Sequence, residues 1–348
     1  MVKKKKRNIF FIILLLLMIA LGAFAYIKYK SVFIKPAAPE RTQSASVFIP
    51  SQADFETLKD SIFKYNLISD SILFEKVARY KDLPQNIHGG HYQIAPEITL
   101  NQLINKFSSG LQTPVYVTFN NIRKIEEFAG SVGKQLELDS TVIMHLLHSE
   151  EILNMLNTSE KKLLGYFIPN TYEFYWNISA KAFFKRMKKE HERFWNSNRR
   201  AQARAIGLSP HEVATLASIV QEETNQTSEM DKIAGVYINR LNHGMLLQAD
   251  PTLKYAIDDW SIRRVLNKHK TIDSPYNTYK YAGLPPGPIC MPEPKTIDQV
   301  LNFENHNYFY FVASVDSLGF HSFSKTLREH NRKANRYRRY LNQNRIYQ

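Results

Sequence analysis

Residues Leu216 to Gly244 read LASIVQEETNQTSEMDKIAGVYINRLNHG, and the predicted fold is organised around them. The apolar residues of this stretch recur at helical spacing on both sides of the polar link Asn225-Gln226-Thr227, which predicts two helices packed as a hairpin. The first helix is predicted to begin upstream, at Ser209-Pro-His-Glu212. There a serine N-cap, a proline at the first helical position and a glutamate three residues after the cap would satisfy unpaired N–H groups of the first turn.

The second helix is predicted to begin at Ser228, where Asp231 completes a Ser-x-x-Asp capping box, and to stop at Gly244. A proline-containing turn follows this helix and carries three polar residues, Gln248, Asp250 and Thr252. Because the two helices fold back on each other, we expect these polar side chains to converge beside the end of the first helix, at Glu223.

Two adjacent glutamates end the first helix, and helical geometry separates them. At about 100° per residue, one broad face of this helix is apolar, and it consists of Val213, Leu216, Ala217, Ile219 and Val220. Glu223 lies on that face, whereas Glu222 points away from it. A carboxyl group on a buried face loses hydration of its charged form, so we expect the raised pKa that a general acid needs near neutral pH. The alternative is a solvated glutamate at a frayed helix end.

Most of the positive charge lies at the two ends of the chain. The net charge is +14 at pH 7 over 348 residues, with five positive residues in Lys3–Arg7 and eight in the tail from Lys325 to Arg345. This placement argues against a nucleic-acid binder, which would carry a basic patch on its folded domain. The tail is predicted to be a basic helix that is solvated by default, with anionic lipid or wall polymer as the alternative contact.

An uncharged run, residues 8–27, follows the basic tail at residues 1–7. At about 1.5 Å per residue it is long enough to cross a hydrocarbon core of about 30 Å. Because basic residues stay on the cytoplasmic side, we expect a single-pass anchor in the cytoplasmic (inner) membrane, with the rest of the chain on the outer, periplasmic side. The small residues Ala23 and Ala25 leave a cleaved signal peptide as the alternative. The single cysteine, Cys290, excludes an internal disulfide.

Residues 28–44 are rich in proline and polar residues and are predicted to form a tether. Over residues 45–110 the pattern of one strand, two helices and a returning strand predicts a small LysM-like subdomain, which either binds glycan or only packs against the catalytic domain. His88 and His91 flank two glycines in this region. They do not indicate a metal site, because no third ligand lies at a recognised spacing.

Several segments of the chain resemble the YceG-like (MltG) family of endolytic murein transglycosylases. They are Ala217–Thr224, Asp231–Leu241, Leu247–Thr252, Tyr276–Tyr279 and Gly283–Ile289. The family's catalytic glutamate is the second acid of an Ala-Ser-Ile-Val-Glu-x-Glu pattern, which falls on Glu223. This chain departs from the pattern at Gln221, where the family has a first glutamate, and at Glu293, where relatives have glycine. The resemblance implies an α+β fold, with a YceG-like catalytic domain over residues 114–348 and Glu223 as its catalytic residue.

The resemblance implies that Gln248, Asp250 and Thr252 bind substrate, and it extends the expected site to two further stretches. One is a loop stiffened by prolines at residues 275–289, in which Tyr276, Asn277 and Tyr279 are implied to bind substrate. The other is the aromatic segment at residues 165–175, where resemblance implies that Tyr172 and Glu173 bind substrate. From the residues alone, this second segment is either a sugar-stacking wall or a core turn.

The resemblance also implies a reaction. The family cleaves MurNAc–GlcNAc bonds of peptidoglycan strands and leaves 1,6-anhydro-MurNAc ends, because the substrate's own C6 hydroxyl is the nucleophile. One residue then acts first as acid and afterwards as base, and no metal or organic cofactor is required. Termination of nascent strands and cell-wall synthases as partners are implied as well. Two alternatives stay open: an inactive wall-binding scaffold with Gln221 as a sign of decay, and a hydrolytic muramidase with a second carboxylate from Asp250, Glu173 or Glu222.

Overall fold

The computed structural model describes residues 2–262 and 265–344, with side chains from Arg7 onward. The side chains of Lys3–Lys6 in the predicted cytoplasmic tail, and Arg345 in the predicted basic tail, lie outside the described residues. The chain forms two compact units. The first comprises residues 1–116, 135–137 and 173–178, and the second comprises 117–134, 138–172 and 179–348.

The first unit contains a small antiparallel sheet covered by helices. Its elements are α1 Val2–Phe33, β1 Ala45–Ile49, α2 Phe55–Lys64, α3 Ser71–Tyr80, β2 Gly90–Ile94 and α4 Leu100–Ser109. β1 pairs with β2 so that Val47 lies opposite Tyr92, and both side chains are buried. The predicted order of strand, two helices and strand is confirmed, while the LysM-like assignment stays a prediction.

The amino-terminal helix α1 is long and apolar enough to span a membrane over Arg7–Phe33. A signal sequence meets the same criterion of length and composition. The helix does not end at the predicted tether but runs on to Phe33, and Val32 is buried in the core of the first unit. The following segment is also held, since Ala37 N–H donates to Ile98 O at 2.8 Å and Ser69 N–H donates to Ala37 O at 2.9 Å. Val32, Ala37 and Ala38 are therefore held against the first unit, so this part of the predicted tether is not a free linker, whereas residues 42–44 are exposed.

The remaining elements build a mixed α+β fold around one central helix. They are β3 Val115–Phe119, α5 Ile125–Gly133, α6 Ser140–Leu147, α7 Glu150–Leu156, α8 Leu163–Tyr166, β4 Asn170–Phe174, α9 Ala180–Phe194, α10 Ser197–Ala205, α11 Pro210–Glu223, α12 Met230–Asn242, α13 Asp250–Ile257, α14 Asn267–Lys270, α15 Pro294–Leu301, β5 Tyr310–Ala313, β6 His321–Ser324 and α16 Leu327–Gln343. β3 is hydrogen-bonded to β4, and β5 pairs antiparallel with β6. The boundary between the two units crosses β3 and β4.

The central helix is α11, and its predicted start is confirmed. Ser209 caps it, the reciprocal capping box with Glu212 is formed, and Pro210 occupies the first turn. Every residue from Val213 to Val220 is buried, so the helix is enclosed on all sides rather than along one apolar face. Its polar core residue Ser218 is accommodated because Oγ donates to Thr215 O at 2.7 Å and accepts from Ile289 N–H at 3.0 Å.

The link between α11 and α12 differs from the prediction. The Ser228–Asp231 capping box does not form, because a short 3₁₀ turn at Thr227–Glu229 leads directly into α12. The buried Glu229 carboxylate instead accepts from Thr224 Oγ1 at 2.6 Å and from His321 N–H at 2.9 Å. The predicted stop at Gly244 is confirmed, since α12 ends at Asn242 and Gly244 has φ +64.

Candidate active site

Glu223 opens into a cleft of about 310 Å³ within the second unit. The cleft is lined by the end of α11, the inner face of α12, the segment before α13, the loop after α14, β5 and α16. The lining residues are Glu223, Tyr237, Arg240, Gln248, Asp250, Tyr279, Tyr310, Phe311, Leu327, His330 and Asn331. Acidic, basic, aromatic and amide side chains thus surround a single helix end.

The Glu223 carboxyl group is held by a hydrogen bond and is largely desolvated. Tyr237, on the facing helix α12, donates its hydroxyl proton to Glu223 Oε1 at 2.6 Å. Desolvation raises the pKa of Glu223 to about 7, and the negative charge of Asp250 adds to the rise, while the Tyr237 hydrogen bond and the charge of Arg240 oppose it. A carboxyl group with this pKa carries its proton for much of the time near neutral pH, as a general acid must.

The adjacent Glu222 has a different environment. Its two carboxylate oxygens accept from Arg123 Nε and Nη2, both at 3.0 Å, and its side chain is only 11 % exposed. The same guanidinium lies 4.4 Å from the centre of the Trp260 ring. Glu222 therefore points away from the cleft, as predicted, and it is a partly buried partner of an arginine.

Arg240 and Tyr237 were not identified from the sequence. They lie three residues apart on α12, the spacing that places two side chains on one helix face, which was the available signal. Arg240 is buried, and its guanidinium donates to Phe309 O at 2.7 Å and to Leu247 O at 2.5 Å. These bonds attach two chain segments to α12 beside the cleft, and they leave a positive charge near Glu223.

Of the polar residues predicted around Glu223, Gln248, Asp250 and Tyr279 do line the cleft. The Tyr279 hydroxyl donates to Asp250 Oδ1. Asp250 begins α13 rather than lying in a turn, and Gln248 precedes it in the left-handed region, with φ +51. Burial and the charge of Asp250 raise the pKa of Tyr279, so this hydroxyl stays protonated and remains a donor.

Three other predicted substrate-binding residues are buried and hydrogen-bonded within the protein. Thr252 Oγ1 bonds to Ala249 O at 2.8 Å and to Thr278 Oγ1 at 2.9 Å. The Asn277 amide donates to Lys270 O at 3.0 Å and Ile272 O at 2.8 Å, and the Tyr172 hydroxyl donates to Ile168 O at 2.6 Å. In this placement the side chains hold loops in place and do not line the cleft, and their contact with substrate stays a prediction.

The last two predicted residues lie outside the cleft lining. Tyr276 is partly buried and packs against Tyr255, with ring centres 4.6 Å apart. Glu173 is exposed on β4 and belongs to the first unit. Elsewhere in the first unit, the ring nitrogens of His91 bond to Ser46 Oγ at 2.6 Å and to Thr113 O at 2.8 Å.

Gln221, where the first glutamate of the pattern was expected, has a structural environment. Its Oε1 accepts from Glu293 N–H at 2.8 Å and from Thr296 Oγ1 at 3.2 Å, and its amide donates to Met291 O at 3.5 Å. These bonds connect α11 to the start of α15. Gln221 does not line the cleft, so the loss of a carboxylate there leaves the surroundings of Glu223 intact.

The carboxy-terminal helix α16 forms one wall of the cleft, through Leu327, His330 and Asn331. The sequence predicted a helix here but placed it in solvent by default. His330 Nδ1 is buried without a hydrogen-bond partner among the residues that the structure describes. The His330 ring lies 5.5 Å from that of Tyr310, which also lines the cleft.

The sequence profile of the YceG-like family matches residues 47–336, which is most of the chain. The chain belongs to the YceG-like family. The matched residues include α11, α12 and the loop around Asn277, which contribute side chains to the cleft.

Curated relatives and a solved structure agree with this membership. The YceG-like chain is 29 % identical over 336 residues to a Bacillus subtilis protein named endolytic murein transglycosylase, covering 92 % of this chain and 91 % of the relative. A Streptococcus pneumoniae protein of the same name is 25 % identical over 327 residues, covering 85 % of this chain and 59 % of the relative. The crystal structure of a YceG-like protein from Listeria monocytogenes superimposes with a TM-score of 0.55 at 25 % identity, covering 83 % of this chain and 98 % of that one.

Proposed function

We propose that this protein is an endolytic lytic transglycosylase that cleaves MurNAc–GlcNAc bonds within peptidoglycan strands, with Glu223 as its catalytic residue. The observation that carries the proposal is a desolvated carboxyl group, with a pKa of about 7, that opens into a cleft and has no cation bound to it in the described part of the chain. The names of the Bacillus and Streptococcus relatives support the same activity.

In the proposed reaction, Glu223 first donates its proton to the glycosidic oxygen, and the bond between that oxygen and C1 of MurNAc breaks. The C6 hydroxyl of the same MurNAc then attacks C1 and returns its proton to Glu223. The product is a 1,6-anhydro-MurNAc end, and no water is consumed. Because one carboxyl group serves as acid and then as base, its pKa should lie near the working pH, as it does here.

The surrounding side chains have supporting roles in this scheme. Tyr237 keeps the carboxyl group oriented, and buried Arg240 supplies positive charge when Glu223 is ionised. We assign Gln248, Asp250 and Tyr279 to binding of sugar hydroxyl and acetamido groups, because their amide, carboxylate and hydroxyl groups line the cleft. Tyr310 and Phe311 offer aromatic surface against which sugar C–H groups pack.

A hydrolytic muramidase is the second candidate, because Asp250 shares the cleft and is close enough to raise the pKa of Glu223. A hydrolase needs a second carboxylate to activate water or to form a covalent intermediate. The Asp250 carboxylate already accepts the Tyr279 hydroxyl proton, which favours a binding role. Mass spectrometry of digested glycan strands separates the two candidates: anhydro ends are about 18 Da lighter than reducing ends, since no water is added.

The catalytic assignment is tested by two matched substitutions at neighbouring positions. Glu223→Gln should lower the cleavage rate by about 10²–10⁴-fold or more, because it removes the general acid. Glu222→Gln changes the same chemical group one residue earlier and should retain cleavage in the folded protein. Circular dichroism must show that both variants fold. Equal losses in the two folded variants would contradict the assignment of Glu223.

We also propose that α1 anchors the protein in the cytoplasmic membrane, with both units on the outer side and the basic residues before the span inside. Protease added to spheroplasts should then digest the chain beyond about residue 30 and leave the anchor in the membrane. Protection of the whole chain, or a mature amino terminus near Tyr26, would contradict the anchor. Termination of nascent strands and association with cell-wall synthases remain expectations of this proposal.

A further inference from the structure

A cleft of about 660 Å³ lies between α1 and α3 in the first unit. One wall is formed by residues of α1 that include three at four-residue intervals, and the other wall is the start of α3. The residues of these two walls that matter here are Phe24, Lys28, Val32, Ile72, Leu73 and Lys76. The site has no part in the proposed catalytic chemistry, which belongs to the second unit.

The position of this cleft along α1 indicates its surroundings. Phe24 comes three residues before the end of the uncharged run at Ile27, so it lies about 4–5 Å inside the apolar part of the helix. Val32, two turns later, is buried in the core of the first unit and therefore holds α1 against that unit. Because Phe24 and Ile72 line the same cleft, the start of α3 reaches the level at which α1 would enter the hydrocarbon layer.

Most side chains at this level are apolar or basic and face outward, and the acidic Asp70 caps the start of α3 by accepting from Leu73 N–H at 2.9 Å. Ile72 is 68 % exposed and Phe24 is 60 % exposed, although both are large and apolar. The basic residues Lys28 and Lys76 line the same cleft. Apolar side chains beside lysines suit the boundary between acyl chains and phosphate headgroups, where lysine stems lie along apolar surface and the ammonium groups reach the phosphates.

We propose that the start of α3 is a second membrane-contacting surface, in which the exposed side chain of Ile72 lies in the lipid interface beside α1. The first unit is then seated directly on the bilayer instead of moving on a flexible tether. The partner is the bilayer itself, since the surface continues from the helix that spans it. This inference rests on the proposed membrane anchoring of α1.

The experiment uses single nitroxide labels on the full-length protein in anionic phospholipid vesicles. The chain has one cysteine, Cys290, which is 1 % exposed, so an introduced surface cysteine is the accessible thiol. Ile72→Cys is the test position, and Phe24→Cys marks the span. Leu111→Cys is the matched control, because Leu111 is 70 % exposed in the same unit. Thr99, which bridges to Pro36, precedes the first residue of α4, whereas Leu111 follows the opposite end of that helix. Collision with oxygen, which concentrates in lipid, is compared with collision with a water-soluble nickel chelate.

We expect oxygen to dominate at positions 24 and 72 and the nickel chelate to dominate at position 111. An aqueous signal at 72 with a lipid signal at 24 would overturn this inference and leave the anchor in place. An aqueous signal at 24 would show that the anchoring itself is wrong. A label at 72 that is shielded from both reagents would mean that protein, not lipid, covers the surface, which also overturns the inference.

Discussion

Replacing Glu223 by glutamine should stabilise the protein above neutral pH, although under the proposed function it should lower the cleavage rate by about 10²–10⁴-fold or more. Glutamine keeps the shape of the side chain and an oxygen that can accept the Tyr237 hydroxyl proton, whose bond to Glu223 measures 2.6 Å. It removes a charge that the fold must otherwise hold in a desolvated place. The substitution therefore separates the free-energy cost of this carboxylate from its proposed function.

The size and sign of the effect follow from the pKa. Burial raises the pKa of Glu223 from the ordinary 4.5 to about 7, so the native state keeps this proton over a pH range in which the unfolded chain has lost it. The stability of the unsubstituted protein consequently falls as the pH rises from about 4.5 to about 7, and stays lowered above that range. At about 1.4 kcal/mol per pKa unit, the loss amounts to about 3 kcal/mol. The glutamine variant has no such loss.

Urea unfolding measured at about pH 4.5 and about pH 8 tests this reasoning, with stability as the readout. Trp195 and Trp260 lie in the second unit and Trp176 lies in the first, so a Trp176→Phe background confines tryptophan fluorescence to the unit that contains Glu223. The stability advantage of Glu223→Gln should be about 3 kcal/mol larger at the higher pH. Glu222→Gln is the control: it breaks the pair with Arg123 and should destabilise the protein at the higher pH. An advantage of Glu223→Gln that does not change with pH would refute the idea that burial keeps this carboxyl group protonated.

Three further predictions concern the same unit. Tyr237→Phe removes the hydrogen bond that lowers the pKa of Glu223, so the alkaline limit of the pH–rate profile should move to higher pH. The kcat should also fall about tenfold, because the carboxyl group loses its orientation. An unchanged pH–rate profile would contradict the role of this bond. Gln221→Glu replaces the amide that donates to Met291 O by a carboxylate, which has no donor. Thermal unfolding near neutral pH should therefore show that the free energy of unfolding falls by about 1 kcal/mol, and cleavage should be retained. A large gain in activity would instead assign position 221 to catalysis. His330→Ala should change the free energy of unfolding by less than about 1 kcal/mol, because the Nδ1 atom of His330 has no hydrogen-bond partner among the described residues. The same substitution should raise KM for glycan strands several-fold. Steady-state kinetics that match the unsubstituted protein would show that His330 does not contribute to substrate binding.

Local signals in the sequence predicted the helix that carries Glu223 and the helix that faces it. The cap at Ser209 and the stop at Gly244 were confirmed, because each depends on hydrogen bonds or backbone angles within a few residues of the chain. The Ser228 capping box was wrong for a tertiary reason. Glu229 in the same turn bonds to His321, a residue 92 positions away, and this buried pair leads the chain into α12 by a different route.

The sequence also predicted which polar residues follow the helical hairpin, but not which of them face the cleft. Gln248 and Asp250 line it, whereas Thr252 and Asn277 turn inward and hold the backbone. Residue type cannot separate these cases, since a buried polar group and a substrate-binding one are equally able to hydrogen-bond. The position of α16 over the cleft was equally invisible, because its strongly basic composition is typical of a solvated helix.

The pattern of residues was sufficient to predict that two glutamates end a capped helix, that they point in different directions, and that a second helix returns beside them. Helical periodicity is sufficient for these conclusions. Only the tertiary structure decided why the two differ chemically. Glu222 is bound by Arg123, which lies 99 residues earlier in the chain, while Glu223 meets a tyrosine hydroxyl and a nearby carboxylate in a desolvated cleft. A pKa depends on the charges and the solvent that surround a group in space, and these are brought together by packing between distant segments rather than by the local pattern of residues.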